Sequence, residues 1–216
     1  MYAIKILKSK KQLIFIGNTN KRMINNFYIS NHIQVAVLNL KQFANERQLI
    51  TKRDIETKGK LFLLEKLLTK EVQLEYSSNG KPNLVDQAKH ISISHSHDKL
   101  AVIINIKEET GVDIEIIRDK ILNIKHKFLS DDELLDAKDD VEKLIIYWSA
   151  KETLYKIYGL PAVDFINHLH IQPFEKELKG TIMGSIKLPT LNADFKLHYE
   201  KIEEYVLVYA LEKILC

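Results

Sequence analysis

Short runs in which apolar and polar residues alternate open and close the chain, and such alternation is typical of β-strands. Three of these runs lie near the start and read YAIKIL, KQLIFIG and HIQVAVLNL. The stretch 90–106 (HISISHSHDKLAVIINI) predicts a hairpin or a bent pair of strands, and 110–117 (TGVDIEII) predicts a further strand. Strands are predicted again near the end, at HLHIQPF, GTIMGSIKL, DFKLHYE and YVLVYAL.

Helical periodicity replaces the alternation between these groups of strands. The stretch Lys52–Leu68 (KRDIETKGKLFLLEKLL) places its leucines along one apolar stripe, which predicts a helix. In LSDDELLDAK, Ser130 is followed three residues later by Glu133, and this capping-box pattern predicts a helix start. Another helix is predicted over 144–158, and Gly159 is placed to end it.

The order of these elements predicts an α+β fold with antiparallel sheets packed by helices, rather than regular βαβ winding. With only seven Gly and four Pro, the sequence shows no flexible linker. The halves 1–107 and 108–216 each contain a helix followed by strands, which suggests two units. A repeat relating the two halves is not visible in the residues themselves.

Composition narrows the class of protein. The 216 residues are 45% hydrophobic and 28% charged, which is typical of a soluble globular protein. The longest apolar runs are too short to cross a bilayer, and the first residues lack the plan of a signal peptide. Cys216 is the single cysteine, so an internal disulfide is excluded and a reducing cytoplasm is expected.

Positive charge is concentrated in the first third of the chain. Residues 1–70 hold 14 Lys/Arg against 4 Asp/Glu, although the net charge of the whole chain is only +3. A basic segment of this kind favours an anionic partner, such as a phosphorylated small molecule, a nucleic acid or an acidic protein. A solvated lysine surface without a specific partner is the alternative.

Two carboxylates share one face of the strand predicted at GVDIE. Strand alternation sends Asp113 and Glu115 to the face opposite Val112 and Ile114, about 7 Å apart. Neighbouring like charges are unfavourable unless a cation lies over them, and carboxylate oxygens suit a hard ion such as Mg²⁺. A half-buried strand with a polar outer face is the alternative. Glu152, on the predicted helix, is a candidate third carboxylate.

Two further stretches carry groups that can bind phosphate. In SISHSHD, His95 and His97 share a strand face, and zinc binding, phosphate contact by a histidine and a neighbouring serine, and a structural role all stay open. In NGKPNL, an Asn-Gly turn displays Lys81, whose ammonium can act as a point charge for a phosphate.

Taken in order, GKPNL, ISISHSHDKLA, GVDIE, FLSDDE and WSAKETLYKIYG resemble the motifs of the 4'-phosphopantetheinyl transferases, in their Sfp-type branch. The resemblance covers 80–159, and the combination of motifs is more specific than any one of them. It implies two similar α+β halves fused in one chain with a pseudo-twofold relation and the active site between them. It also implies a cytoplasmic monomer that moves the 4'-phosphopantetheine group of coenzyme A onto a serine of an apo acyl or peptidyl carrier protein, with Mg²⁺, releasing adenosine 3',5'-bisphosphate.

The resemblance also implies roles for individual residues. The implied magnesium ligands are Asp113, Glu115 and Glu152. The implied coenzyme A contacts are Lys58, Lys81, Pro82, Ser94, His95 and Lys156. The implied catalytic residues are Glu152, as the base for the acceptor serine, and Lys156, which would face the diphosphate. Lys151 and Glu133 belong to the same motifs with less defined roles.

The first helix departs from a clean match to the family. Members of the family use basic residues there for the 3'-phosphate of coenzyme A, and Lys52, Arg53, Lys58 and Lys60 are all candidates, with Lys58 slightly ahead. A nucleic-acid-binding module is a weaker alternative, because the nearest aromatics, Phe43 and Phe62, are expected in the core. A lapsed relative that binds coenzyme A without transferring it is another alternative. No nucleic acid and no membrane are expected as partners.

Overall fold

A computed structural model describes residues 23–28, 30–85 and 88–214, without the side chains of 26–28. The predicted strands YAIKIL and KQLIFIG, and Cys216, lie outside the described residues. The strands are β1 (Ile24–Tyr28), β2 (Ile33–Asn39), β3 (Leu74–Tyr76), β4 (Pro82–Leu84), β5 (His90–Ser96), β6 (Lys99–Asn105), β7 (Val112–Ile116), β8 (Leu169–Ile171), β9 (Lys179–Leu188), β10 (Leu191–Ile202) and β11 (Tyr205–Ile214). The helices are α1 (Leu40–Arg47), α2 (Lys52–Leu68), α3 (Asp131–Ala137) and α4 (Val141–Tyr158), with 3-10 helices at Asp119–Asn123 and Lys125–Lys127.

Most of the predicted elements are present, and the capping box is among them. The Ser130 hydroxyl accepts from the Glu133 backbone N–H at 3.4 Å, and the Glu133 carboxylate accepts from the Ser130 N–H at 2.9 Å. The elements on either side of the predicted strand HIQVAVLNL differ from the prediction. HIQVAVLNL ends as a strand at Asn39, because the Asn39 side chain accepts from the Gln42 N–H at 2.9 Å and caps α1. Helix α1 and strand β1 were not predicted.

Two antiparallel sheets form the middle of the molecule. The first sheet has the order β1-β2-β6-β5 and the second has the order β7-β11-β10-β9-β8, while β3 and β4 form a separate hairpin. Every strand pair within the described ranges is antiparallel. The α+β prediction is therefore confirmed. A pseudo-twofold relation and the division into 1–107 and 108–216 stay predictions.

The sheets pack face to face between two layers of helix. Side chains of β2 and β6 meet those of β7 and β11 in one buried cluster, which includes Val35, Ile103, Ile114 and Leu207. The opposite face of the first sheet packs on α1 and α2, and the opposite face of the second sheet packs on α4. Strands β2, β6 and β11 are thus covered on both faces, which explains their nearly unbroken apolar sequences.

The aromatic residues that were expected in the core are found there. Phe43 is buried and its ring lies 5.0 Å from that of the partly buried Phe62, as the core prediction required. Phe128 and Leu129 are buried as well, so the core is their place. Across the described ranges, no helix combines the length and the apolar character that a bilayer crossing needs.

Candidate active site

Helix α4 lies directly against the start of β7, and a glycine makes this approach close. A Cβ added to Gly111 would sit 2.2 Å from the backbone oxygen of Thr153, in the fourth turn of α4. Gly159, with φ 69°, ends the helix in the left-handed conformation that favours glycine. Because helix and strand are this close, side chains on one face of α4 reach the carboxylates of β7.

Lys156 is at the centre of the resulting cluster. Its ammonium donates to Asp113 Oδ1 at 2.7 Å, to Ser94 Oγ at 2.9 Å and to the backbone oxygen of Val112 at 3.0 Å. The Ser94 hydroxyl in turn donates to Asp113 Oδ1 at 2.7 Å. Helix α4, strand β7 of the second sheet and strand β5 of the first sheet therefore each contribute one side chain to a single contact.

Asp113 has an unused oxygen inside this cluster. The residue is 2% exposed, and its Oδ2 atom finds no hydrogen-bond partner in the described part of the chain. A buried carboxylate oxygen without a partner costs about 1–3 kcal/mol or more. Asp113 therefore has one oxygen held by Lys156 and Ser94 and the other free for a ligand.

Glu115 follows Asp113 on the same face of β7, as the alternation predicted. Its Oε2 accepts from the Ser96 hydroxyl at 2.8 Å, and the Trp148 side chain also hydrogen-bonds to it. Burial and the neighbouring Asp113 charge raise the pKa of Glu115, while these two hydrogen bonds and Lys156 oppose the change. Glu115 is thus a partly desolvated carboxylate held by neutral donors.

Glu152 lies one turn before Lys156 on α4. Burial raises the pKa of Glu152 to about 7, and the charges of Asp113 and Glu115 act in the same direction, while Lys156 opposes them. These carboxylates therefore lie close enough to interact electrostatically. A carboxyl group whose pKa is near neutrality is suited to accept a proton at physiological pH.

The chemistry of this donor set fits a hard divalent cation. Among the described residues, no three His, Cys, Asp or Glu side chains form a ready-made metal site, and the cation that contacts Asp113 is the Lys156 ammonium. Three carboxylates nonetheless share the site, one of them with a buried unpartnered oxygen, and all three are oxygen donors of the type that Mg²⁺ prefers. Asp113, Glu115 and Glu152 stay the predicted ligands.

The predicted coenzyme A residues divide into two groups. Ser94 and Lys156 are in the cluster, whereas Lys58 and His95 are exposed and Lys81 and Pro82 are partly exposed outside it. His95 Nε2 lies 3.3 Å from Glu56 Oε1 on α2, and Lys58 is exposed on the same helix. Lys81, one residue before Pro82 of β4, pairs with Glu109 and packs beside Gly159 at the end of α4.

Lys151 and Glu133, whose roles were undefined, form a separate buried pair away from β7. Lys151 donates to Glu133 Oε2 at 2.7 Å and to the backbone oxygens of Phe128 and Phe165 at 2.7 and 2.8 Å. Glu133 Oε1 accepts from the Ile171 N–H at 2.9 Å. The pair joins α3, α4 and β8, so its role is structural.

A cavity of about 670 Å³ opens beside Trp148. Most of the side chains that line it are apolar, and the charged residues Lys127 and Asp164 complete the lining. The Trp148 ring stacks on Phe165 with centroids 5.7 Å apart. Because the side chain of Trp148 also bonds Glu115, the cavity adjoins the carboxylate cluster.

Ser96, Trp148 and Gly111 were not singled out from the sequence. Trp148 precedes Glu152 by four residues, as Glu152 precedes Lys156, so helical spacing alone could have placed it on the site face. Ser96 repeats Ser94 at the spacing that separates Glu115 from Asp113. No local pattern shows that Gly111 faces a helix backbone.

Comparison with known proteins agrees with this site. Residues 109–210 match the model of the 4'-phosphopantetheinyl transferase superfamily, a stretch that is a little less than half of the chain and contains Asp113, Glu115, Glu152 and Lys156. A protein of Haemophilus influenzae named "Putative 4'-phosphopantetheinyl transferase" is 26% identical over 162 residues, which is 67% of this chain and 69% of that protein. The part of the chain that builds the carboxylate cluster is therefore similar to the 4'-phosphopantetheinyl transferases.

Proposed function

We propose that this protein is an Sfp-type 4'-phosphopantetheinyl transferase. It moves the 4'-phosphopantetheine group of coenzyme A onto a serine of an apo acyl or peptidyl carrier protein, and it acts as a monomer in the cytoplasm. The observation that carries the proposal is the cluster of Asp113, Glu115, Glu152 and Lys156 inside the stretch that matches the superfamily model.

The reaction exchanges one oxygen for another at phosphorus. The serine oxygen forms a bond to the phosphorus that carries the pantetheine, and the bond from that phosphorus to the bridging oxygen breaks. Adenosine 3',5'-bisphosphate leaves with the bridging oxygen. The serine proton must be taken up, and negative charge on the diphosphate must be offset.

The residues of the cluster divide these tasks. Asp113, Glu115 and Glu152 would hold Mg²⁺, which when bound supplies charge stabilisation at the diphosphate oxygens. Glu152 takes the serine proton directly or through a water molecule, since its carboxylate interacts with those of the two strand residues and so shares their site. Lys156, fixed at the end of α4, adds positive charge beside the same carboxylates.

Surrounding residues fit the rest of the substrate. Lys58, Lys81, Pro82 and His95 would bind the phosphate-rich end of coenzyme A. The cavity beside Trp148 is mostly apolar with a few polar side chains, which suits the uncharged pantetheine arm. Glu56 and Glu109, which now pair with His95 and Lys81, would release them to phosphate.

The test is mass spectrometry of a carrier protein after incubation with the enzyme, coenzyme A and Mg²⁺. A panel of apo carriers from fatty-acid, polyketide and peptide synthesis is expected to include at least one that gains the mass of a phosphopantetheine group. The variant Glu152→Gln is expected to lose turnover by about 10²–10⁴-fold, the usual contribution of a general base.

The matched control lies on the same helix. Glu142 pairs with Lys201 at 2.5 Å near the start of α4, ten residues before Glu152, and Glu142→Gln is expected to retain full activity. No mass gain with any carrier of the panel would refute the transferase proposal. Full activity of Glu152→Gln would remove Glu152 from the chemistry.

A further inference from the structure

Three serines alternate along β5 and all turn toward β7. Ser92 Oγ accepts from the Val112 N–H at 3.2 Å, Ser94 Oγ donates to Asp113 at 2.7 Å, and Ser96 Oγ donates to Glu115 at 2.8 Å. Both strands are edge strands of their sheets. The partners on β7 follow the same order along the sequence as the serines on β5. The two strands therefore run side by side in the same direction, and serine hydroxyl groups join them.

The last two serines match the two strand carboxylates one to one. Ser94 contacts Asp113 and Ser96 contacts Glu115, and each carboxylate is 19 positions after its serine. Ser94 also accepts from Lys156, whereas Ser96 accepts from the backbone N–H of Ile116 at 3.4 Å. That N–H occupies a lone pair of the Ser96 oxygen and so leaves the hydroxyl hydrogen to Glu115.

We propose that Ser96 is a positioning residue that fixes the orientation of the Glu115 carboxylate for binding a divalent cation. The inference rests on the metal site of the proposed function and adds to it a residue from the other sheet. Ser96 is 7% exposed, so water competes little for its hydroxyl. Groups that hydrogen-bond a metal ligand orient it before the metal arrives, and losing one typically weakens metal affinity by about 10–100-fold.

Ser92 provides a matched control on the same strand. It is 4% exposed, faces β7 like Ser96 and bonds a backbone N–H, yet its hydroxyl bonds no carboxylate in the described part of the chain. Removing either hydroxyl deletes one oxygen from the same kind of environment. A general loosening of the strands would affect both variants, whereas loss of carboxylate orientation would affect only the Ser96 variant.

Isothermal titration calorimetry with MnCl₂, without coenzyme A or carrier, tests the inference. Ser96→Ala is expected to weaken Mn²⁺ binding by about 10–100-fold, and Ser96→Thr, which keeps the hydroxyl, is expected to restore most of the affinity. Ser92→Ala is expected to change the affinity by less than about twofold, since it touches no ligand. Thermal unfolding of each variant verifies its fold, and Ser96→Val, which has the shape of threonine but no hydroxyl, replaces Ser96→Ala if the alanine variant does not fold.

The variant Glu115→Gln separates the failure of this inference from that of the proposed function. If Glu115→Gln weakens Mn²⁺ binding but Ser96→Ala binds as tightly as the wild type, the role of Ser96 is refuted and the metal site stands. An equal loss in Ser92→Ala and Ser96→Ala refutes it too. If the wild type binds no Mn²⁺, or Glu115→Gln binds normally, the metal site of the proposed function fails and the inference fails with it.

Discussion

Helix α4 carries two lysines that each bond a buried carboxylate at 2.7 Å, Lys151 with Glu133 and Lys156 with Asp113. In the first pair, the lysine has three acceptors and both carboxylate oxygens have donors. In the second pair, the lysine also has three acceptors, but Asp113 Oδ2 has no partner among residues that the structure describes.

The comparison shows how a structural ion pair differs from one available for chemistry. The side chain of Lys151 is 0% exposed and that of Lys156 is 23% exposed. Burial lowers the pKa of Lys151, and its tie to Glu133 opposes this change. A closed pair has no capacity for a further ligand, so its value is in holding elements together. The open pair keeps an oxygen and a partly accessible ammonium that a substrate or cation can use.

Removing the free oxygen's charge should have the largest effect. We expect Asp113→Asn to lower turnover in the carrier assay on the order of 10³–10⁴-fold. The substitution removes a proposed ligand of the magnesium ion, and the ion would stabilise transition-state charge by several kcal/mol. Its free energy of unfolding, from urea titration, should fall by less than the about 3–5 kcal/mol expected when a closed buried pair is broken, since Lys156 is partly exposed and retains two other acceptors. A stable variant with wild-type turnover would contradict the functional reading of the open pair.

Breaking the closed pair should instead reduce stability. Glu133→Gln leaves the Lys151 charge buried without a countercharge, and we expect a loss of about 3–5 kcal/mol in the free energy of unfolding. The exposed pair of Lys187 and Asp194, 3.2 Å apart, is the control, and Asp194→Asn should cost less than about 1 kcal/mol. Similar small losses in both variants would show that the pair of Lys151 and Glu133 does not hold α3 and α4 together.

A smaller effect is expected in how the free energy of unfolding depends on pH, because Glu152 lies in the cluster that contains the open pair. The folded-state pKa of Glu152 is raised from 4.5 to about 7, so its contribution to stability is present in full below about pH 4.5 and is lost as pH rises through 7. In a chelating buffer, Glu152→Gln should therefore match the wild type at pH 4 and exceed it by up to about 3 kcal/mol at pH 8. A difference that does not grow with pH would show that Glu152 is not desolvated beside Asp113 and Glu115.

Local patterns in the sequence predicted the elements that depend on neighbouring residues. Ser130 and Glu133 gave the start of α3, and alternation put Asp113 and Glu115 on one face of β7. The alternative interpretation of a half-buried strand with a polar outer face does not describe Asp113, which is buried because α4 covers part of that face. Helix α1 was missed because its eight residues follow directly on the apolar strand β2. The only local signal of the change is Asn39, which ends the strand and caps the helix.

Contacts between distant parts of the chain were beyond such patterns. The partner of Ser96 lies in the other sheet, and the need for Gly111 comes from the Thr153 oxygen of a helix 42 positions later. Ser94 and Lys156 were assigned through family resemblance rather than periodicity, and their contact with Asp113 is seen only in three dimensions. Burial, which decides that Lys151 is structural, likewise depends on the complete fold.

The row of serines between β5 and β7 also fixes how the two sheets are aligned. Side chains alternate along a strand, so a shift of β5 by one residue would present Ile91, Ile93 and His95 to β7 in place of the three hydroxyls. Asp113 would then face Ile93 in place of Ser94, and Glu115 would face His95 in place of Ser96, so both carboxylates would lose their hydroxyl donors. The first sheet supplies none of the predicted metal ligands. Its serines nevertheless pair with both carboxylates in only one register of β5 against β7, and so they fix the alignment of the two sheets.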